Sequence, residues 1–256
     1  MRSSSDDPLS GARALYQRTI NPARTQEIRR LLDQSAAETA AYSAITALCQ
    51  YLNHWPDAGP AEVASAEAAV ELALADSPQR FIAHYAQGFL YRTRGQHEAA
   101  VNAFDETIRL APEFARAYAQ KGEDLVFLGR VAEAIVEVRR ALEISPQSSV
   151  RGYFYWVMGH AYFVMHEDGE AVRWLRDSVR NWPDVWYNRL YLVSAHALAD
   201  ELTPARRALQ TFNRRFSSYR IANVIESESV VPDDNAAIHA ERERFHDGLR
   251  RAGMNP

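Results

Sequence analysis

The stretch from Gly152 to Val185, GYFYWVMGHAYFVMHEDGEAVRWLRDSVRNWPDV, decides the fold. Gly159 lies in it, followed twelve residues on by Ala171 and twenty-four on by Pro183. The same spacings recur from Gly88 to Ala100 and Pro112, and from Gly122 to Ala134 and Pro146. A large apolar residue stands three positions after each glycine (Tyr91, Leu125, Tyr162) and another sixteen after (Phe104, Val138, Leu175). Five columns repeated over three copies predict pairs of antiparallel helices. A glycine on the first helix and an alanine on the second let the backbones approach, and the larger residues fill the space on either side. Proline just beyond the second helix cannot extend it and forces a turn into the next unit. Such a pair has too small a core to stand alone and must stack on its neighbours.

These residues resemble the tetratricopeptide repeat, whose signature of about 34 residues runs from a large residue through L-G-x-x-Y and A-x-x-x-F to proline. The Gly152 unit matches it with Tyr155, Met158, Gly159, Tyr162, Ala171, Leu175, Ser178 and Pro183. Units beginning at Phe81 and Ala115 are one period apart, and three extra residues lie between Pro146 and Gly152. Weaker copies flank them. Upstream, Ala66, Val70, Ala73 and Pro78 reproduce the second-helix columns after a helix expected over 36–54 and the linker NHWPDAGPAE. A further degenerate pair is expected over 8–34. Downstream, Leu192, Ala205, Leu209 and Phe212 fit a repeat whose glycine column holds Val193.

The expected fold is therefore all-α, a right-handed α-solenoid of antiparallel helix pairs with a C-terminal capping helix. Its expected divisions are a disordered stretch over 1–7, degenerate pairs over 8–80, the core array over 81–217, and a linker with the capping helix over 218–256. Beyond Ser218, the segment YRIANVIES and a polar loop containing VVPDD lead to a last helix capped by Asn235. Ile238, Phe245, Leu249 and Ala252 share one face of it. It covers the last repeat or docks on a second chain.

The tail from Phe245 to Gly253 is similar to the F-x-x-G-L-R-x-A-G ending of bacterial signalling proteins. In these, a nucleotide-cyclase or winged-helix domain precedes a tetratricopeptide array. No catalytic domain accompanies the array here, so no cyclase activity is carried over.

Composition narrows the function classes. The 256 residues are 47% hydrophobic and 24% charged, an ordinary globular balance. A formal charge of −4 disfavours a general nucleic-acid binder, which needs a basic face. Lys121 is the sole lysine, an arginine bias typical of GC-rich, often bacterial, genomes. The single cysteine, Cys49, excludes an internal disulfide and a cysteine-based zinc site. No stretch has the apolar length of a membrane span. The start MRSSSDDPLS lacks a signal peptide's apolar core, so a cytoplasmic location is expected.

None of the eight histidines falls in H-E-x-x-H, and no phosphate loop or nucleophile elbow is present. The ligand-rich segment His166–Glu170 falls on the turn between two helices and reads as a polar turn. His84 reads as a packed, hydrogen-bonded side chain. No catalytic residue, metal site or cofactor is expected, and the chain is read as no enzyme.

The family resemblance implies a groove lined by the first helices. Carried over by repeat position, its residues are Tyr85, Phe89 and Arg92 in one unit, and Arg116, Glu123 and Phe127 in the next. The third unit contributes Tyr153, Trp156, His160 and Phe163, and the fourth Tyr187, Leu190, Ser194, Ala197 and Leu198. Tyr85 and Phe89 stand where family members that grip a C-terminal carboxylate carry lysine and asparagine. An aromatic groove suits an amphipathic helix or an apolar peptide. The leading expectation is thus an interaction scaffold for a protein or peptide partner. The alternatives are a regulatory module acting in trans in cyclic-nucleotide or transcriptional signalling, and a homodimer with its groove occupied. A small-molecule or enzymatic role at Tyr153, Trp156 and His160, with Glu123 approaching His160, stays open.

Overall fold

The computed structural model describes residues 67, 70, 71, 73–75, 78–216, 220–228 and 236–255. The expectations for 1–7, 8–34, 36–54, the linker, Cys49, Ala66, the VVPDD loop and the Asn235 cap lie outside these residues.

Ten helices are described, and no strand occurs among the described residues. In chain order they are α1 (Phe81–Thr93), α2 (His97–Leu110), α3 (Ala115–Phe127), α4 (Val131–Ile144) and α5 (Arg151–Val164). They continue with α6 (Asp168–Asn181), α7 (Tyr187–Leu198), α8 (Leu202–Arg215), α9 (Ile221–Glu228) and α10 (Ala236–Ala252). No described helix is long and apolar enough to cross a membrane.

The chain divides into two compact units, one ending at Ala117 and one starting at Tyr118. In the first, α1 packs on α2. Its centre is aromatic: Tyr85 lies edge-on to Phe89, Phe104 and Phe114 at 5.0, 5.7 and 4.9 Å. Val70 and Ala100 close the cluster. In the second unit, α4 packs on α5, α5 on α6, α6 on α7 and α7 on α8, and α10 returns to lie on α7 and α8.

The sequence columns are the contacts between paired helices. A Cβ added at Gly88 would stand 2.5 Å from Phe104 Cε1, at Gly122 2.7 Å from Val138 Cγ2, and at Gly159 2.6 Å from Leu175 Cγ. Each glycine thus seats the large residue sixteen positions later. Ala100, Ala134 and Ala171 are fully buried beside them. In the fourth pair Val193 is fully buried in the glycine column, and Ala205 and Leu209 are buried on the helix paired with it.

Each first helix ends in the same turn. Gln96, Arg130, Glu167 and Glu201 donate their N–H to Tyr91, Leu125, Tyr162 and His196, five residues back. That closure needs a left-handed residue one position earlier. It is Gly95 (φ 70°) and Gly129 (φ 74°) in two pairs, but His166 (φ 63°) and Asp200 (φ 59°) in the other two. The second helices bury one stripe, Ala171, Val172, Leu175 and Ser178 on α6. Their outer faces carry ion pairs three residues apart, such as Arg173–Glu170 and Arg180–Asp177, which contribute little where solvent screens them.

Candidate functional site

The first-helix face of the second unit is a run of touching rings. Trp156 stacks on His160, with ring centres 5.2 Å apart, and meets Tyr187 and Tyr191 edge-on at 4.6 and 4.9 Å. Phe127 meets the His160 ring at 5.6 Å. Positions three and four apart on a helix share a face, so 156, 160 and 163 of α5 form one stripe beside 187, 191 and 194 of α7. Glu123 of α3 ties the stripe at one end: Tyr153 Oη donates to its Oε2 at 2.8 Å and Trp156 Nε1 to its Oε1 at 3.1 Å.

Helix α10 lies along this face. The Phe245 ring stacks on Tyr191 with centres 4.1 Å apart and meets Phe163 edge-on at 6.5 Å. Ser194 Oγ donates to the Phe245 carbonyl at 3.0 Å. Gly248 lies over the Ser194 backbone, and Leu249 and Ala252 are buried. Burying Phe245 and Leu249 contributes roughly 1.5–3 kcal/mol each.

Two ion pairs fasten the helix. Glu241 Oε1 accepts from His160 Nε2 at 2.6 Å and from Tyr191 Oη at 2.7 Å. Arg244 donates to both Asp168 oxygens at 2.5 Å and to the Phe163 carbonyl at 3.2 Å, its guanidinium 4.6 Å above the Phe163 ring. Burial disfavours the charged imidazole of His160, but the Glu241 carboxylate outweighs it and holds His160 above its ordinary pKa. Burial likewise opposes the Glu241 charge, and His160 and the Tyr191 hydroxyl outweigh it, so its carboxyl titrates below the usual range. His160 Nδ1 has no hydrogen-bond partner among the described residues. Desolvating an ion pair cancels much of its Coulomb gain, and the Tyr191 hydroxyl offsets part of that cost at Glu241.

Residues 82–114 and 115–148 each match the family model of the tetratricopeptide repeat. Residues 82–148 thus resemble two tetratricopeptide repeats in tandem. Human tetratricopeptide repeat protein 13 (Homo sapiens) is 29% identical over 103 residues, which cover 37% of this chain and 12% of that protein. The chain thus spans a small part of the relative's length. Among solved structures, the APC/C hetero-tetramer Cut9–Hcn1 aligns with a TM-score of 0.69 at 13% identity, over 98% of this chain and 44% of that one. PilW, a type IV pilus biogenesis factor, aligns at 0.62 with 18% identity, over 84% and 94%. PilF of Pseudomonas aeruginosa aligns at 0.59 with 18% identity, over 84% and 96%. At these identities the likeness is one of fold.

Set on these helix pairs, the expected groove residues divide into two groups. In the first unit, Tyr85, Phe89 and Arg92 are inside the core, the Arg92 guanidinium lying 5.5 Å from the Phe89 ring and 5.6 Å from Phe104. Arg116 is half-buried. In the second, Tyr153, Trp156, His160 and Phe163 are 7%, 5%, 1% and 0% exposed, brought together but enclosed. Glu123 and Phe127 keep part of their surface in solvent. The carboxylate bonded to His160 belongs to Glu241, while Glu123 is engaged by Tyr153 and Trp156. On the turn, His166 and Glu167 are exposed, and Asp168 is held by Arg244. His84 Nε2 bonds the Pro78 carbonyl at 2.9 Å. No group of three or more His, Cys, Asp or Glu suited to a metal occurs among the described residues.

Sequence reasoning missed Tyr191, Glu241 and Arg244, and it read Asp168 only as part of a polar turn. A signal for one of them existed: 238, 241, 245, 248 and 252 fall on one helical stripe, which makes Glu241 a core-facing acid in need of a partner.

Proposed function

We propose that the chain is a non-catalytic protein-interaction module whose first-helix face takes a helix or peptide from a partner. One observation carries this reading: the face already holds a helix. Phe245, Gly248 and Leu249 of α10 use the pattern of an aromatic anchor, a close backbone approach and an aliphatic residue on one stripe. The tetratricopeptide match supports the same class of function. The partner surface in the second unit is then the part of the face beside α10, where Phe127 and Glu123 retain exposure and Trp156, His160 and Phe163 form the wall behind them. A photo-crosslinking phenylalanine analogue placed at Phe127 is expected to give a discrete adduct in native lysate. The same analogue at Val136, exposed on α4, is expected to give none. Equal labelling at both positions, or no adduct at Phe127, overturns the reading.

A second reading extends the first: the module acts in trans on a bacterial signalling protein of the cyclase or winged-helix type. Every apolar or small residue of the tail motif (Phe245, Gly248, Leu249, Ala252, Gly253) has a packing or turn role in docking α10, and this favours kinship with arrays that share that ending. Co-purification with a signalling protein encoded beside it is the expected outcome, and failure of the purified proteins to associate ends this extension.

A further inference from the structure

The second unit carries a separate feature. A cleft of about 810 Å³ opens between α6 and α8, with α7 beneath it. Its walls are apolar where Val179, Leu192 and Ala208 meet, and its rim carries Arg176, Arg189 and Arg207, one from each helix. Arg189 donates to the Pro183 carbonyl, which holds its guanidinium in place. Arg176 and Arg207 are exposed and make no ion pair with a described residue. The carboxylates lining the cleft, Asp200 and Glu201, sit together at the α7–α8 turn, and Glu201 is engaged by His196 at 2.6 Å.

The charge of the second helices changes along the chain. Helix α2 has three acids against one arginine, α4 three against two, and α6 three against three. Helix α8 has four arginines and no acid. The intrahelical pairs that engage arginines on the earlier helices therefore cannot form on α8, and Arg206, Arg207 and Arg214 are exposed on it in a chain whose formal charge is −4. A basic face on an acidic molecule attracts an acidic partner and repels like surfaces. The apolar floor adds a second requirement, which a phosphate chain does not meet and a peptide side chain does.

We propose that the α6–α8 cleft is a docking site for an acidic segment of a partner protein. Its carboxylates pair with Arg176 and Arg207, and an apolar side chain between them fills the floor at Leu192. This site is independent of the first-helix face, so either reading can fail without the other.

The test is fluorescence anisotropy on the full chain, using a labelled peptide with one leucine flanked by two glutamates on each side. The peptide is expected to bind at low ionic strength and to weaken by about tenfold or more once added salt shortens the screening length to a few ångström. The charge reversal R176E/R207E is expected to weaken binding by at least about tenfold. The matched reversal R139E/R214E, on exposed arginines outside the cleft, is expected to keep it. All three proteins should give the same helical circular dichroism. The proposal is overturned if the wild type does not bind, if R176E/R207E binds like the wild type, or if R139E/R214E loses as much. Binding of a short oligothymidylate as tight as that of the peptide also overturns it.

Discussion

Gly248 of α10 rests directly on Ser194 of α7: a Cβ at 248 would stand 2.8 Å from both the Cα and the carbonyl oxygen of Ser194. Backbone atoms cannot move aside as a side-chain tip can. Gly248→Ala is therefore expected to lift α10 off the first-helix face and cost about 1–3 kcal/mol, the range for overpacking a filled site. Urea denaturation gives the cost, and hydrogen exchange should show α10 amides losing protection before those of α5 and α6. Unchanged protection of α10 would contradict the close contact.

The His160–Glu241 pair makes α10 docking dependent on pH. His160 is raised when docked, so its contribution is complete below the free imidazole value of about 6.5 and is lost as pH rises through the docked value. Glu241 is lowered, so its contribution is present above the free carboxyl value of about 4.3 and is lost as pH falls through the docked value. Glu123, Tyr191 and Arg242 also act on this pair. Protection of α10 should be greatest between the two free values and decline on both sides. His160→Gln is expected to remove the alkaline decline, which hydrogen exchange corrected for intrinsic rates can check.

Four equivalent turns carry Gly95, Gly129, His166 and Asp200 in the left-handed region. A side chain there strains the backbone by roughly 1–2 kcal/mol, while glycine costs roughly 0.5–1 kcal/mol of chain entropy. His166→Gly should thus raise the melting temperature modestly and Gly129→Ala should lower it. A Cβ at Gly129 meets nothing within 4 Å, so that loss would be purely conformational. A Gly129→Ala protein as stable as the wild type would refute the account.

Gly159 and Leu175 share one space. Gly159→Ala forces the Leu175 side chain aside, at about 1–3 kcal/mol. Leu175→Ala empties the site, at about 2–5 kcal/mol. The double variant should lose less than the two single losses combined, by about 1 kcal/mol or more, because each change relieves the other. Additive losses in urea denaturation would mean that the two positions do not share a contact.

The helix pairs were legible because each repeat presents the same contact again: Gly88 with Phe104, Gly122 with Val138, Gly159 with Leu175. A spacing that recurs reports a contact that recurs. The site was legible only in part. Repeat position placed Trp156, His160 and Phe163 on one face, and they do share one. It could not show what covers that face, because His160 and Glu241 are eighty-one residues apart and meet only once. The same limit applies to Tyr85 and Phe89, whose repeat positions suggest a groove although the neighbouring Phe104 and Phe114 enclose them. In the first unit, aromatic bulk at a groove position drew the face inward and made it core.

The position of α10 also bears on synthesis. Its partners, Phe163 and Tyr191, leave the ribosome well before residues 236–252. Until α10 follows, the nascent array exposes a strip of aromatic rings that the mature protein keeps covered. Such a strip is a target for chaperones and a hazard for association between neighbouring nascent chains. A message cut short before α10 would leave Phe163 and Tyr191 without the ring of Phe245 that covers them. Helix α10 thus sets the order of events in synthesis: the rings form their face first and receive their cover afterwards.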